Sequence, residues 1–159
     1  MLTPAETDSV WRHMVEAEVR SLYFGELASK YSLRKQVITF ASFFLASGSA
    51  ATLVAKMPSE YAIALSIIAA LATSYSLALG LDRKALIMSK LHAQWMYIAN
   101  EYQHLWHHHY EEAAQLTFSD ILARGAQASE TAALEAPYNK NRLDHWADHG
   151  YSQYQQTPA

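Results

Sequence analysis

The chain has 159 residues, 51% of them hydrophobic and 17% charged, with a formal net charge of −3. That balance excludes a polyanion-binding protein driven by bulk positive charge. With no cysteine, it also excludes disulfides and thiolate chemistry. The mean hydropathy of −0.10 hides an uneven distribution, because the apolar residues are concentrated in one central block. The acidic start, Met1 to Asp8, lacks the basic region of a signal peptide, and the apolar block begins too late for a cleaved leader.

Thr3, Pro4 and Glu6 read as a helix start: a cap, then proline in the first turn, then an acid at the positive dipole end. The helix is expected over residues 3–33. Trp11, Met14, Val15, Val19, Leu22, Tyr23 and Leu27 give it a broad apolar face, which Glu18 and Glu26 interrupt. Its acidic first half favours packing on another helix over lying on a membrane.

Residues 37–55 and 61–81 carry no charge. At about 1.5 Å per residue they form helices of about 28 and 31 Å, close to the ~30 Å hydrocarbon core of a bilayer. The five residues Lys56 to Glu60 join them, with Pro58 suited to end one helix and open the next. So short a link allows only an antiparallel hairpin. Lys30, Arg34 and Lys35 precede the first span, and Arg83, Lys84 and Lys90 follow the second. The positive-inside bias therefore predicts that both termini are cytosolic. A buried hairpin in a soluble bundle is the bland alternative, but the remaining chain has little apolar surface to cover it.

In the second span Ala62, Ser66, Ala70, Ser74 and Ala78 recur at every fourth position, beside a ridge of large side chains. Small ridges let membrane helices approach closely. Ser42, Ser49 and Thr52 in the first span, with Ser66, Ala70, Thr73 and Ser74 in the second, are expected either to pack the spans or to line a narrow uncharged lumen. No ionisable residue lies within either span, which argues against a proton-coupled pump or a voltage sensor.

After the second span, Met88, Leu91, Trp95, Ile98, Tyr102, Leu105 and His109 follow spacings of three and four. This heptad pattern predicts a long cytosolic helix over 82–118. Leu91, Trp95, Ile98, Tyr102 and Leu105 form a seam expected to join subunits, although the N-terminal helix is an equally suitable partner. Over 119–159 the expectation is short helices and a flexible tail: Ser119 as a cap for a helix ending near Gly125, a break at Pro137, one or two amphipathic turns over 143–149, and disorder from Tyr151.

Two histidine patterns suggest metal chemistry: His104, His107 and His108, and His145 with His149. Glu101 and His104 also supply one ExxH spacing, as in di-iron bundles. Membrane di-iron enzymes use more boxes, more spans and longer chains, and a second ExxH is missing. The expectation is therefore no metal, no cofactor and no enzymatic activity. Lys140, Arg142 and Trp146, with nearby tyrosines, could stack on and pair with a nucleotide. Docking on the long helix is the plainer role for that cluster.

The predicted fold class is an all-α membrane protein: a two-helix transmembrane hairpin flanked by an N-terminal cytosolic helix and a long C-terminal one. That order of parts, with Tyr31, the Arg34–Lys35 doublet and Asp82-Arg83-Lys84, resembles the SLATT group of two-transmembrane bacterial effectors. The resemblance runs over about residues 10–115 of an expected 1–118 domain. It implies a homo-oligomeric pore, such as a tetramer, in antiphage defence, opened by a nucleotide or oligonucleotide signal from a neighbouring nucleotidyltransferase. Opening would depolarise the membrane and arrest growth. A membrane anchor that recruits partners without conducting ions is the alternative, and a histidine-ligated membrane metalloenzyme is a more distant one.

Overall fold

The computed structural model describes residues 1–54 and 58–155, without the side chains of 49–54, 59 and 153–155. The described residues contain no strand. Five helices follow one another: α1 (Pro4–Val54), α2 (Ser59–Ala78), α3 (Leu81–His107), α4 (Ala114–Glu135) and α5 (Lys140–Gln155). The chain divides into two compact units. Unit 1 is residues 1–27 with 87–159, and unit 2 is residues 28–86.

The start of α1 is a reciprocal capping box. Thr3 N donates to Glu6 Oε2 at 2.7 Å, while Glu6 N donates to Thr3 Oγ1 at 3.3 Å. Two backbone donors that have no partner inside the helix are thereby satisfied. The helix runs 51 residues, through the boundary at 33–37 where the sequence suggested two separate helices. Its reason is local: no proline lies between Pro4 and Pro58, and the basic residues there are good helix formers.

Unit 1 buries two neighbouring stripes of α1. Val10, Met14 and Ala17 continue through Ser21 to Phe24, while Val15, Val19, Tyr23 and Leu27 run beside them. Against α1 lies the seam of α3: Met88, Leu91, Trp95, Ile98, Tyr102 and Leu105, all buried. Close approach is possible because Gly25 has no side chain. A Cβ there would stand 3.1 Å from His92 Nδ1. That nitrogen lies 2.8 Å from Ser21 O and 3.1 Å from Ser21 Oγ.

Helix α3 stops at His107, short of the expected Phe118. His104 O still accepts from His108 N at 3.1 Å, but beyond it several carbonyls take other partners. His108 Nδ1 sits 2.8 Å from His104 O, and His109 Nδ1 sits 2.9 Å from Trp106 O. Leu2 N donates to His109 O and the Met1 ammonium to Glu111 O. Beyond this turn the chain is more helical than its composition suggested. Helix α4 passes through Gly125 and buries every seventh residue, Ala114, Ile121 and Ala128. Helix α5 includes Tyr151, whose ring lies 6.3 Å from Trp11. The expected tail end, residues 156–159, lies outside the described residues.

Unit 2 contains the second part of α1, α2 and the first turn of α3. The packed face of α2 is Ala62 and Ala69, buried, with Leu65, Ala72, Ser76 and Leu79 half-buried between and after them. These positions recur at spacings of three and four, as one face of a helix requires. Lys35 Nζ and Asp82 Oδ1 pair at 2.5 Å. The bend between α2 and α3 is made at Gly80, with φ +57°. Gly80 N donates to Leu77 O, and Leu79 N to Tyr75 O, so the end of α2 is capped by a left-handed residue.

Candidate functional site

Large apolar side chains cover the outside of unit 2. Phe43 is 72% exposed and Leu77 75%, with Phe40, Phe44, Ile63, Ile67 and Leu71 similarly bare. Within Glu60–His107 lies one helix long and apolar enough to cross a membrane, and only 6% of its apolar window is buried. The other expected span lies inside α1 as far as Val54. Its last residue, Ala55, and the turn residues Lys56 and Met57 lie outside the described residues.

The small residues of the expected spans divide between a buried and an exposed face. Ser66, Ala70 and Ser74 are exposed, as is Thr73, while the hairpin packs through Ala62 and Ala69. The ridge expected at a close helix contact therefore points away from the chain's own seam. Ser66 Oγ donates to Ala62 O at 2.8 Å and Thr73 Oγ1 to Ala69 O at 2.9 Å. These hydroxyls are satisfied within their own helix, as an apolar surrounding requires. Ser42 Oγ is buried and has no hydrogen-bond partner among the described residues. Ser49 and Thr52 lie outside the described side chains.

The seam Leu91–Trp95–Ile98–Tyr102–Leu105 is buried within a single chain. Of the two partners the sequence offered for it, the N-terminal helix is the one that covers it within the chain. Arg20 reinforces the packing, with its guanidinium 4.7 Å above the Trp95 ring. The Tyr102 phenol, enclosed here and near Glu16, is pushed up to about 12, since burial and a neighbouring carboxylate both disfavour the phenolate.

Of the C-terminal cluster, two members turn inward. Trp146 Nε1 donates to Glu26 Oε2 at 2.8 Å, and Arg142 Nη1 lies 4.0 Å from Glu26 Oε1. Lys140 is exposed at the start of α5. Trp146 and Arg142 dock on a helix, but on α1 and not on the post-span helix that the sequence suggested.

The histidines are similarly occupied by packing. His104 and His108 stack at 4.1 Å, and His145 and His149 both stand edge-on to Trp146. Glu101, the acid of the ExxH spacing, is held on both oxygens by Arg124 Nη1 at 2.8 and 2.7 Å. Among the described residues no three His, Asp or Glu side chains come together as a metal site.

A cleft of about 410 Å³ in unit 1 was not visible in the sequence. Its walls come from Arg20, Tyr23 and Phe24 of α1 and from the alanines near the end of α4. The connection Ala136–Asn139 closes one side. Tyr23 Oη donates to Pro137 O at 2.6 Å and fixes that connection. Only Pro137 and Tyr138, a stiff residue beside an aromatic, offered any signal of it. A second, smaller cleft of about 180 Å³ shares Arg20 and Ser129 with the first.

No family model, curated protein or solved structure matches this chain.

Proposed function

We propose that the chain is a bacterial inner-membrane effector whose hairpin assembles into an oligomeric pore under the control of its cytosolic unit. The observation that carries this reading is the apolar outside of unit 2, where Phe40, Phe43, Phe44, Ile67, Leu71 and Leu77 face outward together. Exposed apolar surface on that scale is costly in water and favourable in lipid. The basic residues at both inner ends of the hairpin support cytosolic termini. A single hairpin encloses no ion path, so conduction requires several copies around an axis. The outward ridge Ser66–Ala70–Ser74 is a suitable contact for those copies. The resemblance to SLATT effectors supports membrane depolarisation and growth arrest in antiphage defence, triggered by a nucleotide-type ligand or a partner.

A second reading, a non-conducting membrane anchor, is favoured by one observation: the α3 seam is used up inside the chain. On that reading the seam offers no contact between copies. Purified protein in liposomes, scored together for ion flux and oligomer size, separates the two. Flux from a defined oligomer supports the pore, whereas a monomer that inserts without flux leaves the anchor.

A further inference from the structure

The geometry points to a ligand site in unit 1: the cleft between α1 and the end of α4 takes an uncharged, planar aromatic molecule bearing a carbonyl-type acceptor. Its volume, about 410 Å³, lies within the usual range for small-molecule sites. Shape is the first argument. Ala132, Ala133 and Ala136 give one low wall of methyl groups, and Tyr23 and Phe24, packed edge to face at 5.2 Å, give another. Low walls of this kind fit a flat body better than a branched one.

The second argument is Tyr138, which lines the cleft although it is 79% exposed and has no ring partner among the described residues. It sits on the connection that the Tyr23 hydrogen bond holds in place. An aromatic ring carried at the rim of an apolar cleft is placed to stack on a flat ligand.

Charge decides the polar part. Arg20 is the one charged side chain that lines this cleft. It is already paired with Glu16 at 2.5 Å, while its Nη1 donates to Ser129 Oγ at 2.8 Å. A guanidinium has five N–H donors, so donors remain. The positive charge, however, is balanced. An anion would meet no net attraction and would compete with Glu16, whereas a neutral carbonyl can accept a bond without disturbing the pair. The Asn139 amide, whose Oδ1 accepts from Arg142 N at 3.2 Å, adds a further polar group to the lining.

This site lies wholly in unit 1 and does not depend on pore formation. The test uses the full chain in dodecyl maltoside micelles, with empty micelles as the blank. The probes are 2-quinolinone (flat, neutral, one carbonyl), quinoline-2-carboxylate (flat, anionic) and cyclohexanecarboxamide (neutral, not flat). Saturation-transfer NMR should show 2-quinolinone binding more tightly than either of the others. Tyr138→Ala should weaken it at least about fivefold, the lower end of what one aromatic stacking contact contributes. Ala133→Trp, at an exposed position where the fold has room for it, should abolish binding by filling the slot. Circular dichroism matching the parent chain shows that both variants fold. Absence of 2-quinolinone binding overturns the proposal. So does equal or tighter binding of the carboxylate or the cyclohexane amide, or binding that neither substitution changes.

Discussion

The Trp146 indole N–H points at Glu26 Oε2 from 2.8 Å and ties the C-terminal helix to α1, 120 residues earlier in the chain. Glu26 also faces Arg142, so one carboxylate serves two residues of α5. Trp146→Phe keeps most of the ring and removes the donor. We expect it to loosen α5 by about 1 kcal/mol, the lower range for a partly exposed bond to a charged group. Hydrogen exchange over residues 143–152 should quicken while that of α3 stays unchanged.

The same helix packs closely on α1 at Gly150. A Cβ there would fall 2.8 Å from Val19 Cγ2, too near for both to stay in place. Gly150→Leu should therefore detach α5 more completely than Trp146→Phe, and limited proteolysis should cut the 136–139 connection faster.

In the α3 seam, Ile98→Ala removes a buried side chain that its neighbours cannot fully replace. The expected loss is about 2–5 kcal/mol, read from urea unfolding followed by tryptophan fluorescence. Because the seam is internal, the oligomer size of the folded fraction should not change.

The hairpin gives a paired test. Ala69 is buried in its packed face, whereas Ala70 is exposed. Ala69→Leu should overpack the hairpin itself, at a cost of about 1–3 kcal/mol. Ala70→Leu should leave each chain intact and reduce assembly between chains, seen as smaller species by native mass spectrometry. Equal assembly in the parent and Ala70→Leu would remove that ridge from the interface.

Alkali should reveal Tyr102. Its folded pKa lies near 12 against an ordinary value of 10, so the folded state holds that proton more tightly than the unfolded state. The resulting stabilisation is complete below pH 10 and disappears as pH rises from 10 to 12. Tyr102→Phe should show a shallower loss of stability over that window, measured by urea midpoints at successive pH values.

Some of this organisation was legible because the sequence carries a period or a cap. Thr3 and Glu6 announce the start of α1, and Leu91 to Leu105 announce a packed face, since polar residues mark the other sides. Partner and rotation were harder to read. A heptad seam looks the same whether a neighbouring helix or another subunit covers it. In α2 the residues after Glu60 are all uncharged and the small ones fall on every side, so nothing distinguishes Ala69 from Ala70. Helix α4 was read as one short piece, from Ser119 to about Gly125, for the opposite reason: the small and polar residues beyond it resemble a loop, yet alanine is the strongest helix former, and the helix buries Ala114, Ile121 and Ala128. The cleft draws its walls from positions more than a hundred residues apart, and no local pattern joins Arg20 to Asn139.

Gly80 bears on the handedness of the chain. A Cβ at this position would meet nothing within 4 Å, so crowding plays no part in the requirement for glycine. Only the sign of φ does. The residue after α2 must behave as a mirror-image amino acid, and glycine alone among the natural set is achiral. An L-alanine at 80 would be strained by about 1–2 kcal/mol despite the empty space around it. D-alanine, introduced by chemical ligation, should be tolerated and should even favour the bend by restricting the unfolded chain. Opposite effects from two side chains of identical size would show that this joint is specified by stereochemistry, with volume and polarity playing no part.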